Sequence, residues 1–381
     1  MSKKLAFPFL IWNVEQSHEA RFHKLMRWIH LAGLGMILCG AAFGTGCVTR
    51  REVEPQRARQ TEADWRARRF DPSSELEERI LALNPLNVSE TDIRGPLSQV
   101  PAPRIIKIRG GTRKVYRRMA SFSEFLIGMG YPAVSVTDPG DGRYAYNCYD
   151  SGEKLAGMIA WYYEREGLRP MLVGHSQGGM QVVKILHCFA QSPSRKIRLW
   201  NPLTWEAEAR TEFTDPLTGW DRPVVGLVLP YATAVGAGGL TRALPNQWDM
   251  TLRLRTIPDS VEEFTGFCKG MDLLGGDFLG YGPANHYWAN GAAKVQNVWL
   301  PDEYSHATLP ETKHLPNSQA VKDWINNYHP SPEPIARPKF EVALEGNTQN
   351  ILWAAEVWYR IKKHWVLEVQ RLIRARRAQR Q

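Results

Sequence analysis

A chain of 381 residues, 43% of them hydrophobic, is long enough to bury a full core and to hold one sizeable catalytic domain with appendages. The formal charge of +9 would suit a nucleic acid, but residues 352–381 alone carry eight Lys or Arg against two Glu and the middle of the chain is near neutral, which argues against a nucleic-acid partner. Cys39, Cys47, Cys148, Cys188 and Cys268 form no C-x-x-C pair and no His cluster has metal-ligand spacing, so no zinc site is indicated and no metal is expected.

In chain order, residues 31–49 are uncharged and follow Lys24, Arg27 and His30. A basic start and an apolar middle describe a secretory signal or a single membrane anchor. The run ends in Gly44, Thr45, Gly46 and Cys47, then turns polar at Arg50 and Arg51. It resembles the lipobox of bacterial lipoproteins, which implies lipidation of Cys47, export and a place in the cell envelope, membrane-anchored or periplasmic. Gly44 stands where that pattern has an aliphatic residue, so an uncleaved anchor remains the second reading. Met26 and Arg27 would make a conventional start for such a signal.

Residues 50–100 mix Arg and Glu with Pro and show apolar spacing only at Leu76, Ile80 and Leu83, which predicts a solvated linker with one short helix. The core is expected from Pro101 onward. A strand over 104–108 runs into Arg109, Gly110, Gly111 and Thr112, a helix follows over 119–129, a strand over 133–136 and a helix over 152–165. The apolar run Pro170, Met171, Leu172, Val173 then leads into Gly174, His175, Ser176, Gln177, Gly178 and Gly179, a G-x-S-x-G between a strand and a helix. A serine hydroxyl is a poor nucleophile unless the backbone exposes it and an imidazole reaches it; a sharp strand-to-helix turn does the first, and small residues two before and two after permit the bend. Met180, Val182, Val183, Ile185 and Leu186 recur at helical spacing, so the amide of Gln177 should lie at a helix N-terminus, where negative charge is favoured.

Alternating strands and helices argue for a mostly parallel α/β sheet. With the G-x-S-x-G turn placed on it, the chain resembles the α/β-hydrolase superfamily, its lipase and esterase members above all, over residues 101–330. The resemblance implies that Ser176 is the nucleophile and that the amide of Gln177 is one oxyanion donor. It implies a second donor from the loop holding Gly110 and Gly111, where Arg109-Gly110 replaces the family's His-Gly pair; an ordinary turn is the other reading.

Residues 192–221 read as an excursion, 223–229 as the strand that resumes the sheet, and 232–265 as a cap, where the family builds lids, or else as an elaboration with no gating role. The family order of serine, acid, histidine implies an acid after the strand over 264–268, with Asp272 preferred to Asp277, and a base after the strand over 295–300, with His306 preferred to His314. Asp302 and Glu303 are expected to face solvent, and His175 to point away from the reaction.

These residues imply acyl transfer to water through an acyl-enzyme on Ser176, with no cofactor and with a lipid or other hydrophobic ester as substrate. An acyltransferase, a thioesterase or a non-catalytic binding protein could share the turn. The tail, 331–381, has Ala354, Trp358, Ile361, Trp365, Val369 and Leu372 on one helical face among Arg360, Lys362, Lys363, Arg371 and Arg374. Such a helix either lies on an anionic membrane surface or docks on the domain.

Overall fold

The computed structural model describes residues 71–381 apart from 112, 239–244, 251, 271, 273, 277–284 and 332–347. The apolar segment 31–49, Cys47 and the alternative acid Asp277 therefore lie outside the described residues. No helix among the described residues is long and apolar enough to cross a membrane.

A six-stranded sheet organises the rest. Its strands are β1 (Ile105–Arg109), β2 (Tyr146–Asn147), β3 (Met171–His175), β8 (Leu229–Val235), β10 (Val261–Lys269) and β12 (Lys294–Leu300), in the spatial order β12-β10-β8-β3-β1-β2. Every neighbouring pair is parallel. Parallel strands need covered faces, and alternate residues supply the cover. Ile105, Met171 and Val173 point into one core with α1 (Ser74–Leu81), α2 (Glu90–Arg94), α3 (Arg113–Gly128), α6 (Gln319–Asn326) and α7 (Ile351–Arg380). Ile106, Ile108 and Leu172 point into the other, with α4 (Gly152–Glu166) and α5 (Gln177–Phe189). Chain progression reverses between β1 and β3, and such a switch point leaves a crevice at the carboxyl ends of the strands.

Several expected elements shift, each for a visible reason. Residues 133–136 form a 3-10 turn, Ala133–Ser135, instead of a strand. The carbonyl of Val136 is taken by Nζ of the buried Lys107 at 2.7 Å, and Tyr146–Asn147 pairs with β1 instead. The strand expected over 223–229 begins only at Leu229, because Asp221–Pro223 is the second arm of a hairpin, β7, with β6 (Glu212–Thr214). The small residues at the end of β8 and just after it lie against α5: a methyl on Gly179 would stand 2.8 Å from Cβ of Ala237 and 3.1 Å from that of Ala234, so the helix approaches too closely for a side chain at 179. Of the residues expected to form a cap, 232–235 and 261–265 are sheet strands; the described residues between them hold a 3-10 turn, Pro245–Met250, and β9 (Thr256–Ile257), which pairs with β11 (Trp288–Ala289). The 192–221 excursion contains β6 and the hairpin of β4 (Trp200–Asn201) with β5 (Glu206–Ala207).

The expected linker is part of the domain from Ser74 onward. Leu76 and Ile80 of α1 and Ile93 of α2 are core residues, and Gln370 of α7 donates to the carbonyls of Ile80 and Leu83, both at 3.0 Å. The tail helix α7 is docked along much of its length: Trp358, Ile361, Trp365 and Val369 are fully buried. Its cations meet internal partners. Arg360 and Lys363 pair with Glu263, and Arg371 with Glu368. Nζ of Lys362 donates to the carbonyls of Val88 and Asn326, and burial pulls its pKa down to about 8. The apolar face that a membrane surface would need is occupied by the domain.

Candidate active site

Ser176 is the residue between β3 and α5, and its backbone has φ 56° and ψ −125°, a conformation rare for a residue with a side chain. The strain is held by packing on both sides. A methyl on Gly174 would lie 2.3 Å from the carbonyl oxygen of Gly178, and one on Gly178 would lie 2.0 Å from that of Ile108, so the chain bends this sharply only with glycines two before and two after the serine. The amide of Ser176 donates to the carbonyl of Val235 at the end of β8, 2.9 Å away. Its side chain sits at the switch point with only 9% of the residue exposed.

Gly110, the first residue after β1, faces it: a methyl there would lie 3.0 Å from Cβ and 3.5 Å from Oγ of Ser176. Gly111 lies against Gln177, where a methyl would meet Oε1 at 2.0 Å and the Tyr149 hydroxyl at 2.8 Å. Two elements that the motifs do not announce thus enter the site, Tyr149 and the buried Cys148, whose Sγ donates to Oε1 of Gln177 at 3.5 Å. The first amides of α5, those of Gln177 and Gly178, have no intrahelical acceptor and lie at the positive end of the helix dipole.

Asp272 and His306, on the segments after β10 and β12, meet: Nδ1 of His306 donates to Oδ2 of Asp272 at 2.7 Å. The other carboxylate oxygen accepts from the amides of Leu274 and Gly275 at 3.1 and 2.9 Å. Burial would raise the Asp272 carboxyl, but the His306 bond and these amides outweigh it and hold the pKa below the ordinary range. With Nδ1 engaged, Nε2 of His306 has no partner among the described residues, nor has Oγ of Ser176, so the serine and the imidazole are not hydrogen-bonded to each other. The link between the two halves is Gly236, directly after Val235, with φ 55°. A methyl on it would touch Nδ1 of His306 at 2.9 Å, and one on Gly275 would touch Cε1 at 2.6 Å. Glycines at 236 and 275 therefore admit the imidazole to the strand ends beside Ser176; neither is marked by a motif.

The competing residues lie elsewhere or outside the described residues. His314 precedes a 3-10 turn, Leu315–Asn317, whose Pro316 packs near Gly128 of α3, and the carboxylate of Asp272 bonds His306. Asp302 and Glu303 are exposed. His175 is fully buried, and its Nε2 meets the backbone carbonyl of His306 at 2.7 Å. Among the described residues no group of His, Cys, Asp and Glu has the arrangement to hold a metal ion. In comparison with known proteins, no family model and no curated protein matches the chain.

Proposed function

We propose that the chain is a serine hydrolase of the α/β-hydrolase type that cleaves carboxylic esters. The observation that carries this reading is the pairing of a strained serine at a strand-to-helix turn with an Asp272–His306 hydrogen bond of 2.7 Å at the ends of later strands of the same sheet. Serine, acid and histidine then follow one another in the order that the resemblance implies.

In this mechanism Oγ of Ser176 attacks the ester carbonyl while Nε2 of His306 takes its proton, which requires the two groups to close to hydrogen-bonding distance once substrate is bound. Asp272 keeps the imidazole in the tautomer with hydrogen on Nδ1 and stabilises the imidazolium that forms. The amide of Gln177, with that of Gly110 or Gly111 across the crevice, holds the oxyanion. His306 returns the proton to the leaving alkoxide, and water then cleaves the acyl-enzyme by the same steps. The losses follow from these roles: removing one oxyanion donor raises the barrier by about 3 kcal/mol, and removing the serine or the histidine costs far more.

Hydrophobic esters, lipids among them, are the proposed substrate class. Export with lipidation at Cys47 is the matching proposal for location, tested by the mass of the mature N-terminal peptide. For the activity, a panel of p-nitrophenyl esters of increasing chain length is hydrolysed by the wild type and not by Ser176→Ala. Added glycerol leaves the free acid as the product. Undiminished turnover by Ser176→Ala would remove the serine from the chemistry, and glyceryl esters as the main product would make the chain an acyltransferase.

A further inference from the structure

We propose that His175 is a positioning residue: its imidazole donates Nε2–H to the backbone carbonyl of His306 and so ties the segment that bears the base to the strand that bears the nucleophile. The inference rests on the reading of His306 as the base.

The hydrogen bond settles the tautomer, because a carbonyl oxygen only accepts. Nε2 carries the proton, and Nδ1 keeps a lone pair that is buried with no partner among the described residues. An apolar ring in the same place would avoid the cost of that orphaned nitrogen, so the imidazole has to be accounted for by what Nε2 does. Burial, reinforced by the neighbouring His306, lowers the pKa of His175 to about 3, and the ring stays neutral through the working range with its one N–H on the His306 carbonyl.

What this bond adds is visible in the chain between β12 and the base. His306 lies beyond the end of β12 in a run of turns, closed by Tyr304 N–H to the Pro301 carbonyl at 3.0 Å and Thr308 N–H to the Ser305 carbonyl at 3.1 Å. Those turns shape the segment, and its side-chain bond to the sheet, from Nζ of Lys269 to the carbonyl of Asp302 at 3.0 Å, holds it four residues before the base. Among the described residues the carbonyl of His306 accepts only from His175, whose ring lies 5.0 Å from the His306 ring, centroid to centroid, at 42°. Asp272 fixes the imidazole through Nδ1, and His175 fixes the backbone from which it hangs. Since His175 immediately precedes Ser176, nucleophile and base share one rigid support.

Two measurements test this. In imidazole 15N NMR of the wild-type chain at neutral pH, His175 shows a protonated Nε2 and a bare Nδ1; the opposite tautomer or a cation overturns the proposal without any variant. In ester hydrolysis, His175→Phe keeps the ring volume and loses the donor, and kcat falls on the order of 100-fold with KM little changed. His175→Gln, whose amide nitrogen reaches the place of Nε2, recovers most of the rate. The Nδ1 proton shared by His306 and Asp272 broadens in His175→Phe and sharpens again in His175→Gln. A folded His175→Phe with wild-type kcat and an unchanged Nδ1 resonance contradicts the proposal. The resonance is read without substrate, so a wild type that hydrolyses nothing refutes the proposed reaction while the positioning role is still decided.

Discussion

Ser176 holds a φ of 56° against the preference of any residue with a Cβ, and that strain is the local cost of presenting its hydroxyl. Replacing it separates the two properties: Ser176→Gly is expected to be more stable than Ser176→Ala by about 1 kcal/mol in urea unfolding, with both inactive. The glycines divide similarly. Gly178→Ala would drive a methyl to 2.0 Å from a backbone carbonyl, that of Ile108, and is expected to cost about 3 kcal/mol or more of stability in the same measurement. Gly236→Ala would press on the imidazole of His306, 2.9 Å from Nδ1, with no backbone atom among its nearest neighbours, and is expected to lower kcat on the order of 100-fold in a chain that still folds. Of the candidate site, the turn at Ser176 and the Asp272–His306 pair were legible in the sequence because a bend motif and two strand ends mark their places. Gly236, Gly275, Cys148 and Tyr149 were not, since what they touch is decided by segments far along the chain.

Among the elements, α7 departs furthest from what its sequence suggests. Its basic residues look like a solvated face, yet Arg360, Lys363 and His364 converge on Glu263 of β10, and Arg169 meets Glu368 at 2.6 Å. Periodicity identifies such a helix but not the partners waiting for it, a carboxylate on β10 and a guanidinium on the loop before β3. Trp358, fully buried and donating Nε1–H to Asn326 at 2.8 Å, anchors it, and Trp358→Ala is expected to cost about 4 kcal/mol in denaturant unfolding. Acid should loosen the same helix. Burial would raise the Glu263 carboxyl, but His364, Arg360 and Lys363 overcome it and bring the pKa to about 2 from an ordinary 4.5. The resulting stabilisation is complete above pH 4.5 and disappears as the pH falls through about 2, a loss on the order of 3 kcal/mol. A melting temperature that falls across this window in the wild type, and less steeply in Glu263→Gln, is the expected result. Strands β1, β3, β10 and β12 were readable as apolar runs, whereas β8 was expected too early because Asp221–Pro223 pairs with β6 across the chain's excursion and not with the sheet.

At the scale of the whole molecule, the sheet brings the segments after β1, β3, β8, β10 and β12 to one edge, so a constellation drawn from residues 110–306 needs no local sequence proximity. The domain is larger than its motifs suggest. Glu77 of α1 pairs with Arg377 at 2.7 Å, and a chain beginning at residue 101 is expected to unfold at lower denaturant than one beginning at 71. The alternation of strands and helices made the α/β class legible, but the polar composition of 50–100 concealed that the short helix expected around Leu76 and Ile80 closes the core of the domain. The hydrolase reading is tested most directly by treating the folded chain with a fluorophosphonate and locating the adduct by peptide mass spectrometry. One adduct is expected, on Ser176, absent from Ser176→Ala and strongly slowed in His306→Ala. An unlabelled wild type, or an adduct that persists in Ser176→Ala, would contradict it.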